Sequence, residues 1–421
     1  MLLRSVSTSI LPLGTTLGCA LYDGHNTKLL GAGVVITRQL LESLQRRHIG
    51  AVKVSQEDAV RLLAFGPQGK AKTVPADRAV IVSPLVTSHS RQFDDKLGEL
   101  LTVDAIRSGP QFSEEVRKPV EAFLDNDLKR HLVDQHEQQV QKLDALHSVV
   151  LRGGSEEVAI VADTAVQSLT SIREDQDAYV CLGANPAGEN YPGRHSLHAA
   201  MVAISVGTTM GLDEAQLRSL AVGCLVHDLG MAEVDPRTLA LKKRLEPEEF
   251  CDITRHPIRT FDLIEEHLDL IPAAARMVAY QLHERYDGTG YPRRRAGTQI
   301  HKLARIAAVA DAYAAIVAPR PHRAGMLPYY AITKIVKDAA AGKYDPEVVR
   351  GLLKTVSLFP LGSLVELSNR MVGRVIRTSG EHYDRPIVEA WPRGKVSGQG
   401  TLFNLAEEGE LRVFRMLESL D

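Results

Sequence analysis

Leu217, Leu220, Ala221, Cys224 and Leu225 recur at three- and four-residue spacing between Asp213 and Gly230. That period places all five on one face of a helix, with Asp213 as its cap and Gly230 as its stop. The same Ala-rich helical pattern, with few β-branched clusters, runs from about 156 to 355. The chain is therefore read as mainly α, and its 421 residues are more than one core usually holds.

The flanks read differently. From Leu13 to Lys53, short apolar runs alternate with Asp-Gly and Gly-x-Gly turns around one short helix near Arg38 to Arg47, the pattern of a small strand-rich module. From Phe93 to Leu151, acids and bases alternate at helical spacing, which predicts a solvated connecting helix or pair. Arg152, Gly153, Gly154 and Ser155 form a hinge, and Ser155 with Glu156 and Glu157 starts the next helix. Beyond Phe359, "FPLGSLVELSNRMVGRVIRTSG" and "RPIVEAWPRG" return to strand alternation. The expected division is a β-rich module over 1–75, a helical connector over 76–155, a helical domain over 156–355 and a small β module over 356–421.

With 50 basic and 52 acidic side chains the formal charge is −2, so no global field favours a nucleic-acid polymer or an anionic membrane. An anionic ligand must be held by a local cluster. Cys19, Cys181, Cys224 and Cys251 lie far apart with no CxxC, which suggests neither a zinc site nor a disulfide framework and suits a reducing cytoplasm. Leu17-Gly18-Cys19 has the outline of a lipoprotein cleavage site, but Ser, Thr, Pro and Gly break the stretch before it, and no signal peptide is expected. No apolar run is long enough to span a membrane.

Five places in the helical segment carry groups that are costly on an apolar face unless paired or metal-bound: His195, His227-Asp228, His256, His283 and Asp311. Their intervals of about 30 residues exceed any local ligand motif, so only folding can join them. Taken singly, a histidine in a helix is more often a satisfied core or surface residue than a ligand. Adjacent ligands at a helix end, as in His227-Asp228, can hold one ion by nitrogen and bridge a second by carboxylate. His283 opens "HERYDGTGYP", where Asp287-Gly288 and Gly290 supply a turn and Pro292 stops a helix. The turn alone does not account for the histidine.

The order H…HD…H…HE-x-x-DGxGYP…D resembles the HD-GYP branch of the HD superfamily of metal-dependent phosphohydrolases, over about residues 156 to 355. The resemblance implies a helical HD-GYP bundle flanked by the two β modules, a divalent transition-metal centre of one or two ions, iron or manganese, and hydrolysis of cyclic di-GMP or a related cyclic nucleotide. Carried over by position, His195, His227, Asp228, His256, His283 and Asp311 are metal ligands, Asp228 is the bridge, and Asp228 and Asp311 are catalytic. Arg320 and Arg323 take the ligand's phosphate and Tyr291 lines the pocket. A cyclic dinucleotide is the implied ligand, with protein partners reached through the β modules.

The chain departs from the family at the same centre. Leu282 stands where a histidine precedes His283, Met231 where a lysine follows His-Asp-x-Gly, Ala314 where a second acid follows Asp311, and Thr260 where a glycine is usual. Tyr191 occupies the position of a third-metal glutamate, with Glu189 off register. The lysine and the acid are lost together, as a replaceable ion pair is. Three functions stay open: a metal-dependent phosphodiesterase, a non-catalytic nucleotide receptor or interaction module, and another HD-type nucleotide phosphohydrolase.

Overall fold

The computed structural model describes residues 109–117, 125–150, 159–184, 192–239, 246–264, 271–319, 325–417 and 419, together with 3–8, 11, 21–22, 28–30, 36–37, 40–41, 44, 49 and 51–55. Two compact units emerge, Met1–Leu85 with Lys243–Ile253, and Val86–Lys242 with Thr254–Asp421.

In the first unit β1 (Leu3–Ser7), β2 (Leu21–Tyr22), β3 (Lys28–Leu30) and β4 (Ala51–Ser55) form an antiparallel sheet in the order β1-β4-β2-β3. Val6 pairs with Val52, and both join Leu21, Ile36 and Val54 in a small apolar core. Leu40, Leu41 and Leu44 are helical, as their spacing predicts.

The second unit opens with α1 (Asn126–Val150), α2 (Ala159–Glu174) and α3 (Gln176–Ala184). Then come α4 (Gly193–Thr209), α5 (Glu214–Val226) and the four-residue α6 (Pro236–Leu239). α7 (Pro247–Ile253) belongs to the first unit. The bundle resumes with α8 (His256–Ile264), α9 (Ala273–Gln281), α10 (Lys302–Val317), α11 (Pro328–Ala340) and α12 (Pro346–Val356). α4 is its axis: "GRHSLHAAMVAISVGT" is buried along its whole length, because small and apolar side chains on every face let α1, α3, α5, α10 and α12 close around it. Asp213 caps α5 in a reciprocal box with Gln216, as its sequence predicts.

Two readings need correction. α5 ends at Val226, not at Gly230, which lies inside a following 3-10 turn, Leu229–Glu233. The stretch 126–150 is not a solvated connector: Leu132, Val140, Leu143 and Leu146 are buried in the bundle core. Its abundant charge hid that apolar seam. α1 runs antiparallel to α4, since the ring nitrogens His136 Nε2 and His198 Nε2 meet at 2.8 Å, Arg194 donates two bonds to Glu137, and the Gly193 N–H donates to Asp144 Oδ1 at 3.1 Å.

β5 (Leu364–Leu367), β6 (Val372–Arg377), β7 (Ile387–Trp391), β8 (Thr401–Asn404) and β9 (Val413–Leu417) form an antiparallel sheet in the order β8-β7-β6-β5-β9. Arg377, at the end of β6, buries a 2.7 Å ion pair with Asp175 between α2 and α3, and Thr378 Oγ1 donates to Asp177 at 2.8 Å. The architecture is the expected one, a mainly helical bundle with small β-sheets in the N- and C-terminal regions. Among the described residues no helix is long and apolar enough to cross a membrane.

Candidate metal centre

α4 packs along α10, which brings His195 of one against Asp311 of the other, Nε2 to Oδ1 at 3.0 Å. His227 is the C-cap of α5 and Asp228 opens the 3-10 turn after it. His256 is the first residue of α8, and His283 lies just past α9. All six predicted ligands are buried.

The distances tie them into one cluster. Asp228 Oδ1 lies 3.2 Å from His227 Nε2, 3.4 Å from His256 Nε2 and 3.8 Å from His283 Nε2. Asp311 faces His227 Nε2 at 3.7 Å and His283 Nδ1 at 3.8 Å. Two groups have donor atoms within 4.8 Å of one another, His195 with His227 and Asp228, and Asp228 with His256 and His283. Asp228 is common to both.

The tautomer of His227 tests whether these residues fit an ion. Its Nδ1 sits 2.7 Å from the Cys224 carbonyl oxygen, which can only accept, so Nδ1 carries the proton and Nε2 presents a lone pair. That Nε2 is fully buried, makes no hydrogen bond, and looks onto the lone pairs of Asp228. Lone pair facing lone pair in a dry site is repulsive unless a cation lies between them. Burial lowers the pKa of His227, which keeps its ring neutral. Burial alone would raise Asp228 and Asp311, but the surrounding histidines outweigh it and hold both carboxyls below the usual range. A lone pair on His227 Nε2 facing ionised carboxylates suits a divalent transition ion.

Three local devices set this geometry. A Cβ on Gly230 would collide with the His256 carbonyl, so glycine lets α8 pack directly on the turn that carries His227 and Asp228. Thr260 fastens the contact, its hydroxyl donating to the His227 carbonyl at 2.8 Å and accepting the Gly230 N–H at 2.9 Å. The loop after His283 turns back on itself. Gly288 takes φ of 76°, Asp287 Oδ1 accepts the Thr289 N–H at 2.9 Å, and a Cβ on Gly290 would strike the backbone of Arg285.

Glu284 closes that loop, accepting the N–H groups of Arg293 at 2.7 Å and Arg295 at 3.0 Å, with burial pushing its carboxyl up to about 7. The Tyr291 N–H reaches the His283 carbonyl at 3.2 Å, and the two rings stack with centroids 5.0 Å apart. The decapeptide thus returns an aromatic wall to the histidine that begins it. The Tyr291 ring also meets that of His256, with centroids 5.9 Å apart.

Arg320, Arg323, Glu189, Tyr191 and the hinge 152–155 lie outside the described residues. Leu282 is fully buried in the apolar core, Ala314 is buried on α10, and Met231 is half-buried in the 3-10 turn. The sequence reading passed over His147 on α1, which is buried with both ring nitrogens lacking a hydrogen bond among the described residues. Its signal was masked by the charged text around it.

Residues 185–348 match the family described as HD domain. Over 262 residues the chain is 29% identical to a cyclic di-GMP phosphodiesterase of Pseudomonas aeruginosa, covering 61% of this chain and 62% of that protein. It is 30% identical over 154 residues to a cyclic di-GMP phosphodiesterase response regulator of Xanthomonas campestris, covering 36% and 40%. A 3'3'-cGAMP-specific phosphodiesterase of Vibrio cholerae is 30% identical over 170 residues, covering 40% and 36%. The chain thus spans less than two thirds of each of these relatives. The segment is an HD domain. Its order of histidines and acids, closed by the DGTGYP loop, resembles the HD-GYP branch of that superfamily.

Proposed function

We propose that the six-residue cluster holds one or two divalent transition ions, iron or manganese, and hydrolyses a phosphodiester bond of a cyclic dinucleotide, cyclic di-GMP being the first candidate. The observation that carries this reading is the position of Asp228 in both donor groups, with His227 Nε2 turned onto it as a lone pair. The names of the similar proteins favour the same substrate class.

An ion in such a site supplies Lewis acidity and an activated water at neutral pH. The chain's own groups prepare for it. Cys224 fixes the His227 tautomer, Asp228 and Asp311 stay ionised without taking up a proton, and Tyr291 walls the side of His283. In this proposal Arg320 and Arg323 grip the phosphate, and the boundaries at 75, 155 and 355 separate the functional parts.

A second reading, a receptor that binds the nucleotide without turnover, is favoured by Leu282, Met231 and Ala314, which leave three positions of the centre without a ligand or charge. Hydrolysis of cyclic di-GMP by the manganese- or iron-loaded protein separates the two. Slow but measurable turnover is expected, falling at least about 100-fold in Asp311→Ala, because loss of an outer partner of a ligand already costs 10- to 100-fold. If neither the native chain nor the triple variant Leu282→His, Met231→Lys, Ala314→Asp cleaves any cyclic dinucleotide with metal bound, the receptor reading replaces the enzyme.

A further inference from the structure

α1 lies outside the segment that matches the HD family and carries a buried histidine toward the end of α4 that holds His195. The pairing of α1 with α4 fixes where. Going up α1, His136 meets His198, Glu137 meets Arg194, and Asp144 meets the Gly193 N–H at the very start of α4. His147 lies three residues beyond Asp144, about one helical turn on. The antiparallel register therefore carries it past the N-terminus of α4, the end that holds His195. α1 also touches the 3-10 turn Leu229–Glu233, whose cap is Asp228.

His147 is 6% exposed, and neither Nδ1 nor Nε2 has a hydrogen-bond partner among the described residues. A buried imidazole with both nitrogens unsatisfied is costly, and most buried polar groups avoid that state. Its electrostatic neighbours are Asp228 and His227, two members of the cluster already described. A buried imidazole with two unsatisfied nitrogens, in the field of the carboxylate shared by two donor groups, has the chemistry of a ligand. A histidine kept only for packing would be expected to find a carbonyl or hydroxyl partner.

We propose that His147 is a further nitrogen ligand of the metal centre, supplied by a helix outside the HD segment to a site from which Leu282 has removed one imidazole. The inference rests on the proposed metal centre and adds a donor to it. It makes α1 part of the site, so that the position of this helix sets how tightly the centre holds its ions.

Calorimetric titration with Co²⁺ tests the proposal on the full chain, using the native protein, His147→Ala and His147→Gln, each first stripped with chelator. Melting curves in chelator, without metal, establish whether the variants fold. At least one ion is expected to bind 10-fold or more weaker in both variants, with chelated melting curves close to native. A purely structural role would move the melting curves and leave the Co²⁺ affinity unchanged.

Affinity within twofold of native in a folded variant overturns the proposal and leaves the centre standing. Absence of Co²⁺ binding by the native chain overturns both. If neither variant folds, imidazole ¹⁵N resonances of the native protein titrated with Zn²⁺ decide. A coordination shift at His147 supports the assignment, and an unmoved His147 resonance with shifted cluster histidines overturns it.

Discussion

Thr260 joins two parts of the site through one hydroxyl, donating to the His227 carbonyl and accepting from Gly230. As a letter in the sequence it read only as a missing glycine. Its role depends on α8 lying against the turn at 227–233, a contact between residues about 30 apart that no local pattern encodes. Thr260→Ala removes both bonds in a fully buried place, and denaturant unfolding is expected to show a loss of about 1–3 kcal/mol. Thr260→Ser should recover most of it. Full native stability in the alanine variant would mean that the clasp is incidental. The six clustered residues drew notice because costly polar groups on apolar faces stand out and because their order resembles a family's. His147 was not, because charged neighbours made its helix look solvated.

At the scale of elements, the register of α1 on α4 and the seat of β6 on the bundle decide what can act together. Periodicity found α5, its cap and the strands beyond Phe359, since each pattern is local. It missed the buried seam of α1, where Leu132, Val140, Leu143 and Leu146 sit among many charges. It could not foresee that Arg377 of β6 would be buried against Asp175, because the pair spans some 200 residues. That pair is a junction between the C-terminal sheet and the helices, and Asp175 also accepts the Ala178 N–H at the start of α3. Removing one partner of a buried pair strands the other charge. Arg377→Ala is expected to lose about 3–5 kcal/mol in chemical denaturation. A loss below about 1 kcal/mol would place the pair among weak surface bridges and dissolve the junction.

Across the whole molecule, the fold gathers the candidate ligands from α4, α8 and α10 and from just past the ends of α5 and α9, so the cluster exists only when the bundle is complete. The coupling works in both directions, because ions that bind the folded chain and not the unfolded one raise its stability. The most direct test is elemental analysis of the chelator-free native chain beside Asp228→Ala, both offered Mn²⁺ or Fe²⁺. One or two ions per native chain are expected, with none retained by an Asp228→Ala protein that still folds, since Asp228 alone belongs to both donor groups. A native chain without metal, or an Asp228→Ala chain that keeps its full complement, would contradict the account.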